Sequence, residues 1–186
     1  MRFYLRWPTS PPDCRFWSQQ PNTDTVEGEG GVIDTYSARV VGTPGELPQD
    51  LYRRTAERLW SYDIFPRDLM QPTVCSTDGH VVEGAVIVQR VKVGLLVMEG
   101  AVRVVRAWHN ESIDTDESGF TYATVAGHPE KGVSSFSVSR SGEIVEFRVK
   151  ARSRPGTLLT RMGRPASRAF QRAATRAALR HVASRT

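Results

Sequence analysis

Cysteine and histidine are scarce in this chain: two and four among 186 residues. Cys14 and Cys75 lie far apart and match no metal-binding spacing, and no two histidines form a His-x-x-x-His pair. The reading therefore expects no metal and no cofactor. Long apolar runs are missing too. None approaches the ~18–20 residues that cross a bilayer, so no integral membrane association is expected. The opening residues, MRFYLRWPTSPPD, carry charge but lack the apolar stretch of a secretory signal. Few cysteines and no such signal predict reduced thiols in a cytoplasmic protein. No internal repeat or low-complexity block is present.

Acid is absent from one end. Residues 147–186 hold 11 arginines and lysines and no aspartate or glutamate, whereas residues 1–146 hold 14 basic and all 20 acidic side chains. The net charge of +5 hides this asymmetry. A basic stripe can meet phosphate, but no aromatic residue interleaves the arginines on that face and no nucleic-acid motif is present. Specific nucleic-acid binding is not expected. The plain alternative is a solvated helix face, and docking on nucleic acid or acidic membrane stays as a rival.

What is there reads as one domain behind an arm. Residues 1–25 contain Pro8, Pro11, Pro12 and Pro21 and resist regular structure. Trp7, Phe16 and Trp17 suggest that the arm still docks on something. A single domain is expected over residues 26–186. The segment DTYSARVV alternates as a strand. Leu51, Tyr52, Thr55, Ala56, Leu59 and Trp60 recur at helical spacing, and Phe65-Pro66 is expected to stop that helix.

From Met70 to Arg154 the chain reads as strand and turn. STDGH is a hairpin-type turn signal and DTDESG a polar turn. In GEIVEFRVKARS, Val145, Phe147, Val149 and Ala151 face one way, and Ile144, Glu146, Arg148, Lys150 and Arg152 the other. GLLVMEG is unusual for a connection. It reads either as an apolar lid or as a strand running on through a bulge. The end, from about Thr157 to Ser184, reads as a helix that Pro165 kinks or restarts. Leu159, Met162, Ala166, Ala169, Phe170, Ala173, Ala177 and Val182 are expected inward. Arg161, Arg164, Arg168, Arg172, Arg176 and Arg180 are expected outward. The fold class is α+β: a curved antiparallel sheet closed by the C-terminal helix.

Three blocks add a resemblance. FTYATVAGHPEKGVSSFSV, VEFRVKARSRP and RMGRPASRAFQR resemble a family of bacteria and plants known as a domain of unknown function, numbered nineteen-ninety. The likeness runs from about Gly31 to Val182. Tyr122, Thr124, Gly127, His128, Pro129, Gly132 and Phe136 match its histidine block. Ser153, Arg154 and Pro155 match the second block, and Pro165, Arg168 and Gln171 the third. Val133 and Ser134 stand where that family carries two acids. The resemblance implies a helix-grip fold of the START-like, SRPBCC group.

It also implies a cavity between sheet and helix, and with it a small apolar partner. Tyr122, Thr124, His128, Phe136, Phe147, Trp108 and Met162 are the expected ligand-contacting residues. Tyr122 and Thr124 lie two apart and share a face, so both hydroxyls either enter the cavity or satisfy the sheet. His128 is either a polar anchor at the cavity mouth or a turn residue bonded to the backbone. No catalytic residue is assigned. A ligand-binding module is the first reading, and a cyclase- or lyase-type enzyme in the same cavity is the second.

Overall fold

The computed structural model describes residues 1–23, 32–128, 130–155 and 164–184. The elements run β1 (Arg2–Tyr4), α1 (Cys14–Ser18), β2 (Val32–Arg39), α2 (Pro48–Trp60), β3 (Met70–Cys75), β4 (Val86–Val93), β5 (Leu96–Glu111), β6 (Thr115–Thr124), β7 (Glu130–Ser141), β8 (Ile144–Pro155) and α3 (Arg164–Ala183). The sheet order is β2-β8-β7-β6-β5-β4-β3, with every pair antiparallel and β1 added along β5. The fold is an α+β helix-grip. Phe120, Phe136 and Phe147 stack across three adjacent strands, with ring centroids 5.4 and 6.5 Å apart. Burying each ring contributes roughly 1.5–3 kcal/mol. Both helices cover this face: Leu51, Tyr52 and Leu59 from α2, Ala178 and Val182 from α3.

The far end of α3 is tied down twice. Arg58 donates to the carbonyl of His181 at 3.1 Å, and the Val41 N–H donates to the carbonyl of Ala183 at 3.4 Å. A cation on the last carbonyls of a helix also meets the negative end of its dipole. The buried stripe of α3 matches the expected one at Phe170 and Val182 and departs from it at the alanines. Phe170, Ala174, Ala178 and Val182 turn inward or line the cavity, while Ala169 and Ala173 are exposed. Alanines occupy both candidate stripes, so the larger Phe170, Leu179 and Val182 decide the rotation. Arg172, Arg176 and Arg180 are exposed as expected. Leu159, Arg161 and Met162 lie outside the described residues, as does Pro129.

Three further boundaries moved. α2 ends at Trp60, ahead of Phe65-Pro66, because Tyr62 takes the left-handed conformation (φ 55°). Such a backbone costs a non-glycine residue roughly 1–2 kcal/mol. It sets the tyrosine ring in the core, where it is wholly buried. The polar DTDESG segment is mostly strand. Asp116 is buried and accepts from Arg140 Nε at 2.6 Å, and buried Ser118 lies 2.7 Å from the Tyr52 hydroxyl. Internal partners let polar residues enter the sheet. GLLVMEG is a two-residue turn followed by an unbroken β5, and the bulge falls later, between Val104 and Arg106.

The arm packs on the other face of the sheet. Trp17 is wholly buried against Val86, Val88, Ala101 and Val125. Its indole donates to Glu99 at 3.2 Å, and Arg90 holds the same buried carboxylate at 2.9 Å. The two cysteines, expected as reduced thiols, form a disulfide between α1 and the end of β3. Their separation of 61 residues disguised the pairing, which depends on the arm folding back. No helix among the described residues is long and apolar enough to cross a membrane.

Candidate ligand pocket

A cavity of about 380 Å³ lies between the sheet and α3. Strand alternation builds its floor. Gln89 and Val91 come from β4, Tyr122 and Thr124 from β6, Ser134 and Phe136 from β7, Val149 and Ala151 from β8. Phe170, Ala174 and Ala178 close it from α3, and the small alanines leave the room. Phe65, Met70 and Met98 complete an apolar wall.

One part of the floor is polar. Gln89 Nε2 donates to the Tyr62 hydroxyl at 2.6 Å. The Tyr122 hydroxyl lies among the polar groups of Ser134, Gln89 and Tyr62 and feels all three. Tyr122 and Ser134 stand directly opposite in the β6–β7 register. Burial drives both phenols up: Tyr62 well above its ordinary value, and Tyr122 above it despite the opposing pull of these neighbours. The cluster is therefore uncharged at neutral pH. It presents hydroxyl and amide groups at the base of an apolar cavity.

His128 lies at the rim, partly buried. Its Nδ1 is 3.2 Å from the Glu130 N–H, which donates to it, and 3.0 Å from the Glu130 carbonyl. The ring thus pins the β6–β7 turn, where Gly127 is left-handed (φ 85°) and a side chain would crowd the Met1 nitrogen and Trp17. Burial lowers the His128 pKa to about 4, and the Met1 ammonium adds to the effect against the pull of the Glu130 carbonyl. The imidazole is neutral at pH 7. The Glu130 side chain in turn accepts from Gln171 of α3, which joins this turn to the closing helix.

Of the seven expected contact residues, Tyr122, Thr124, His128 and Phe136 line the cavity. The Thr124 hydroxyl is already committed: it accepts from the Gly132 N–H at 3.1 Å and lies 2.7 Å from Thr23 Oγ1. Phe147 is wholly buried in the core and does not line the cavity. Trp108 is on the opposite sheet face, flat against Gly119, with Arg106 5.2 Å above its ring. The bulge after Val104 puts Ala107 inward and Trp108 outward. Met162 lies outside the described residues.

The sequence reading missed Gln89, Tyr62 and Ser134. Gln89 did leave a signal: in VIVQRVKV it is the one polar residue in phase with Ile87 and Val91. Ser134 was noted only as a replaced acid. It faces the cavity beside Tyr122, where the replacement removes one acid. Tyr62 left no signal in the pattern. Among the described residues, no group of three or more His, Cys, Asp or Glu could hold a metal ion.

Residues 23–181 match the family described as Domain of unknown function (DUF1990). The chain belongs to this family. The DUF1990 match takes in β2 to β8, α2, α3 up to His181 and the polar residues Gln89, Tyr122, Thr124 and Ser134 of the cavity floor. Among solved structures, hypothetical protein jhp0584 from Helicobacter pylori is similar in fold. Its TM-score is 0.54 at 9% identity, covering 97% of this chain and 94% of that one. Ara h 8.0201 gives 0.46 at 12% identity, covering 82% and 98%. Norcoclaurine synthase from Thalictrum flavum, solved with dopamine and hydroxybenzaldehyde, gives 0.43 at 11% identity, covering 84% and 93%. No curated protein matches the chain.

Proposed function

We propose that this DUF1990 domain binds one small, largely apolar molecule bearing a hydroxyl or carbonyl group. The observation that carries the reading is a cavity of about 380 Å³ with a largely apolar wall, in which the uncharged Tyr122–Gln89–Tyr62–Ser134 cluster forms part of the floor and Asp34, Glu130 and Arg152 also belong to the lining. That volume suits a drug-sized ligand, and a few convergent polar groups in an apolar wall fix orientation. The neutral cluster favours a ligand that is itself neutral at that end.

An enzyme in the same cavity is the weaker reading. Acid–base work near pH 7 wants a group that titrates there. His128 is held near 4, its Nδ1 is engaged by the turn, and both tyrosines are shifted upward.

The test compares naphthalene with 1-naphthol by calorimetry. The reading expects saturable 1:1 binding of both, with 1-naphthol tighter by roughly the tenfold that one good hydrogen bond contributes. Tyr122→Phe should narrow that difference. Equal affinity for both compounds, unchanged by Tyr122→Phe, would contradict the polar anchor, and no saturable binding of either would contradict the pocket.

A further inference from the structure

The turn between β4 and β5 carries a leucine in water. Gly94-Leu95 is a two-residue turn closed by Val93 opposite Leu96. The β7–β8 turn, Gly142-Glu143, is built alike, with Ser141 opposite Ile144. Both glycines are left-handed, φ 62° and 55°. One turn places a glutamate after the glycine, and the other places Leu95, which is 92% exposed. The backbone therefore does not require an apolar residue there.

Leu95 has company. Phe3 and Leu5 are 51% and 81% exposed, and Val93 and Leu96 are exposed as well. The register gathers them on one face. Val93 pairs with Leu96 and Phe3 with Met98, and Leu5 follows Tyr4, the partner of Val97. Val93 and Met98 are also cavity wall. The apolar patch thus continues into the pocket.

Its rim is basic. No acid occurs in residues 1–12 or 86–98, whereas Arg2, Arg6, Arg90 and Lys92 do. Arg6 and Lys92 are exposed. Glu99, the nearest acid along β5, is wholly buried under Arg90 and Arg2. Beside the edge, the Lys92 N–H bonds to Leu69, and neighbouring Arg67 and Asp68 cancel in charge. An apolar patch backed by exposed Arg6 and by Lys92 on the other sheet face, with the neighbouring exposed Asp68 offset by Arg67, matches the chemistry of an anionic bilayer surface. A second copy fits poorly, because two such rims would face each other with like charge.

We propose that the β4–β5 turn and β1 form a peripheral docking surface for an anionic phospholipid bilayer. Leu95, Leu96 and Phe3 enter the acyl boundary, and Arg6 and Lys92 meet the headgroups. This surface stands on exposed residues alone and does not depend on what fills the pocket.

The test is flotation of the full chain with phosphatidylcholine vesicles, with and without phosphatidylserine and with no added ligand. Wild-type protein should float with the anionic vesicles. Leu95→Asp should weaken that binding at least ~tenfold, from the lost transfer of one leucine. Arg6→Gln with Lys92→Gln should weaken it roughly fivefold per charge. Arg172→Gln with Arg176→Gln and Arg180→Gln, on α3, should leave it unchanged. Three results would overturn the proposal: no flotation, flotation indifferent to Leu95→Asp, or flotation lost only in the α3 variant. So would a wild-type dimer in sedimentation velocity that Leu95→Asp dissolves, because a second copy would then own the patch.

Discussion

Gln89 in the middle of β4 donates to the hydroxyl of Tyr62, the residue just past the end of α2, across 2.6 Å. This bond spans from the sheet to the chain that leaves the helix. It lets a left-handed tyrosine keep its ring in the core and its hydroxyl satisfied. Gln89→Leu keeps the volume and removes the partner. The expected cost is ~1–3 kcal/mol, because the Tyr62 hydroxyl is left buried with fewer partners. Urea unfolding measures it, and a loss below the noise of the method would mean that the cluster carries no structural weight.

His128 makes stability depend on acid. Its pKa falls from the ordinary 6.5 to about 4 in the folded chain, with burial as the main cause. The unfolded chain therefore binds a proton first as pH drops. The stabilisation is fully present above about pH 6.5 and is lost progressively down to about pH 4. The ring is partly exposed, so the loss should be roughly 1–2 kcal/mol, below what a sealed ring would give. His128→Asn can still accept from the Glu130 N–H. It should keep most of the stability at pH 7 and flatten this part of the pH profile. His128→Ala should lower stability by ~1–2 kcal/mol at pH 7. A melting temperature unmoved by His128→Ala would contradict the turn-pinning role.

The disulfide and Trp17 hold the arm to the sheet. Cys14→Ser with Cys75→Ser opens a link between residues 61 apart, and such links typically contribute 2–4 kcal/mol. Stability should fall by about that amount. Amide exchange should quicken at Val86, Val88 and Ala101, under the arm, and hold steady at Phe136 and Phe147. Equal quickening in both places would show that the arm is not a separable layer.

Most of the fold was legible because its elements alternate cleanly. The β8 pattern put Val145, Phe147 and Val149 inward, where they are found. The α3 stripe was right at Phe170 and Val182 but misplaced at Ala169 and Ala173, because alanine sits on both sides and carries little information about burial. DTDESG was misread because local polarity cannot reveal that Arg140 and Tyr52 wait to receive Asp116 and Ser118. The disulfide was hidden for the same reason. Its partners meet only through the docking of the arm.

At the site, Tyr122, His128 and Phe136 came from one contiguous block, and short-range order made them visible. Trp108 was lost to a one-residue bulge, which reverses every side chain beyond it. Gln89 and Tyr62 belong to distant segments and acquire meaning only when the sheet brings β4 under the end of α2.

The central claim is that the space between sheet and α3 is a ligand site. Ala174 projects into it from the helix. Ala174→Trp fills the cavity without touching the polar cluster's sequence. Titration of the wild type and this variant with 1-naphthol, followed by calorimetry, tests the claim most directly. The account predicts saturable 1:1 binding to the wild type, and its loss in an Ala174→Trp chain that still unfolds cooperatively. Undiminished binding to the folded variant would contradict it.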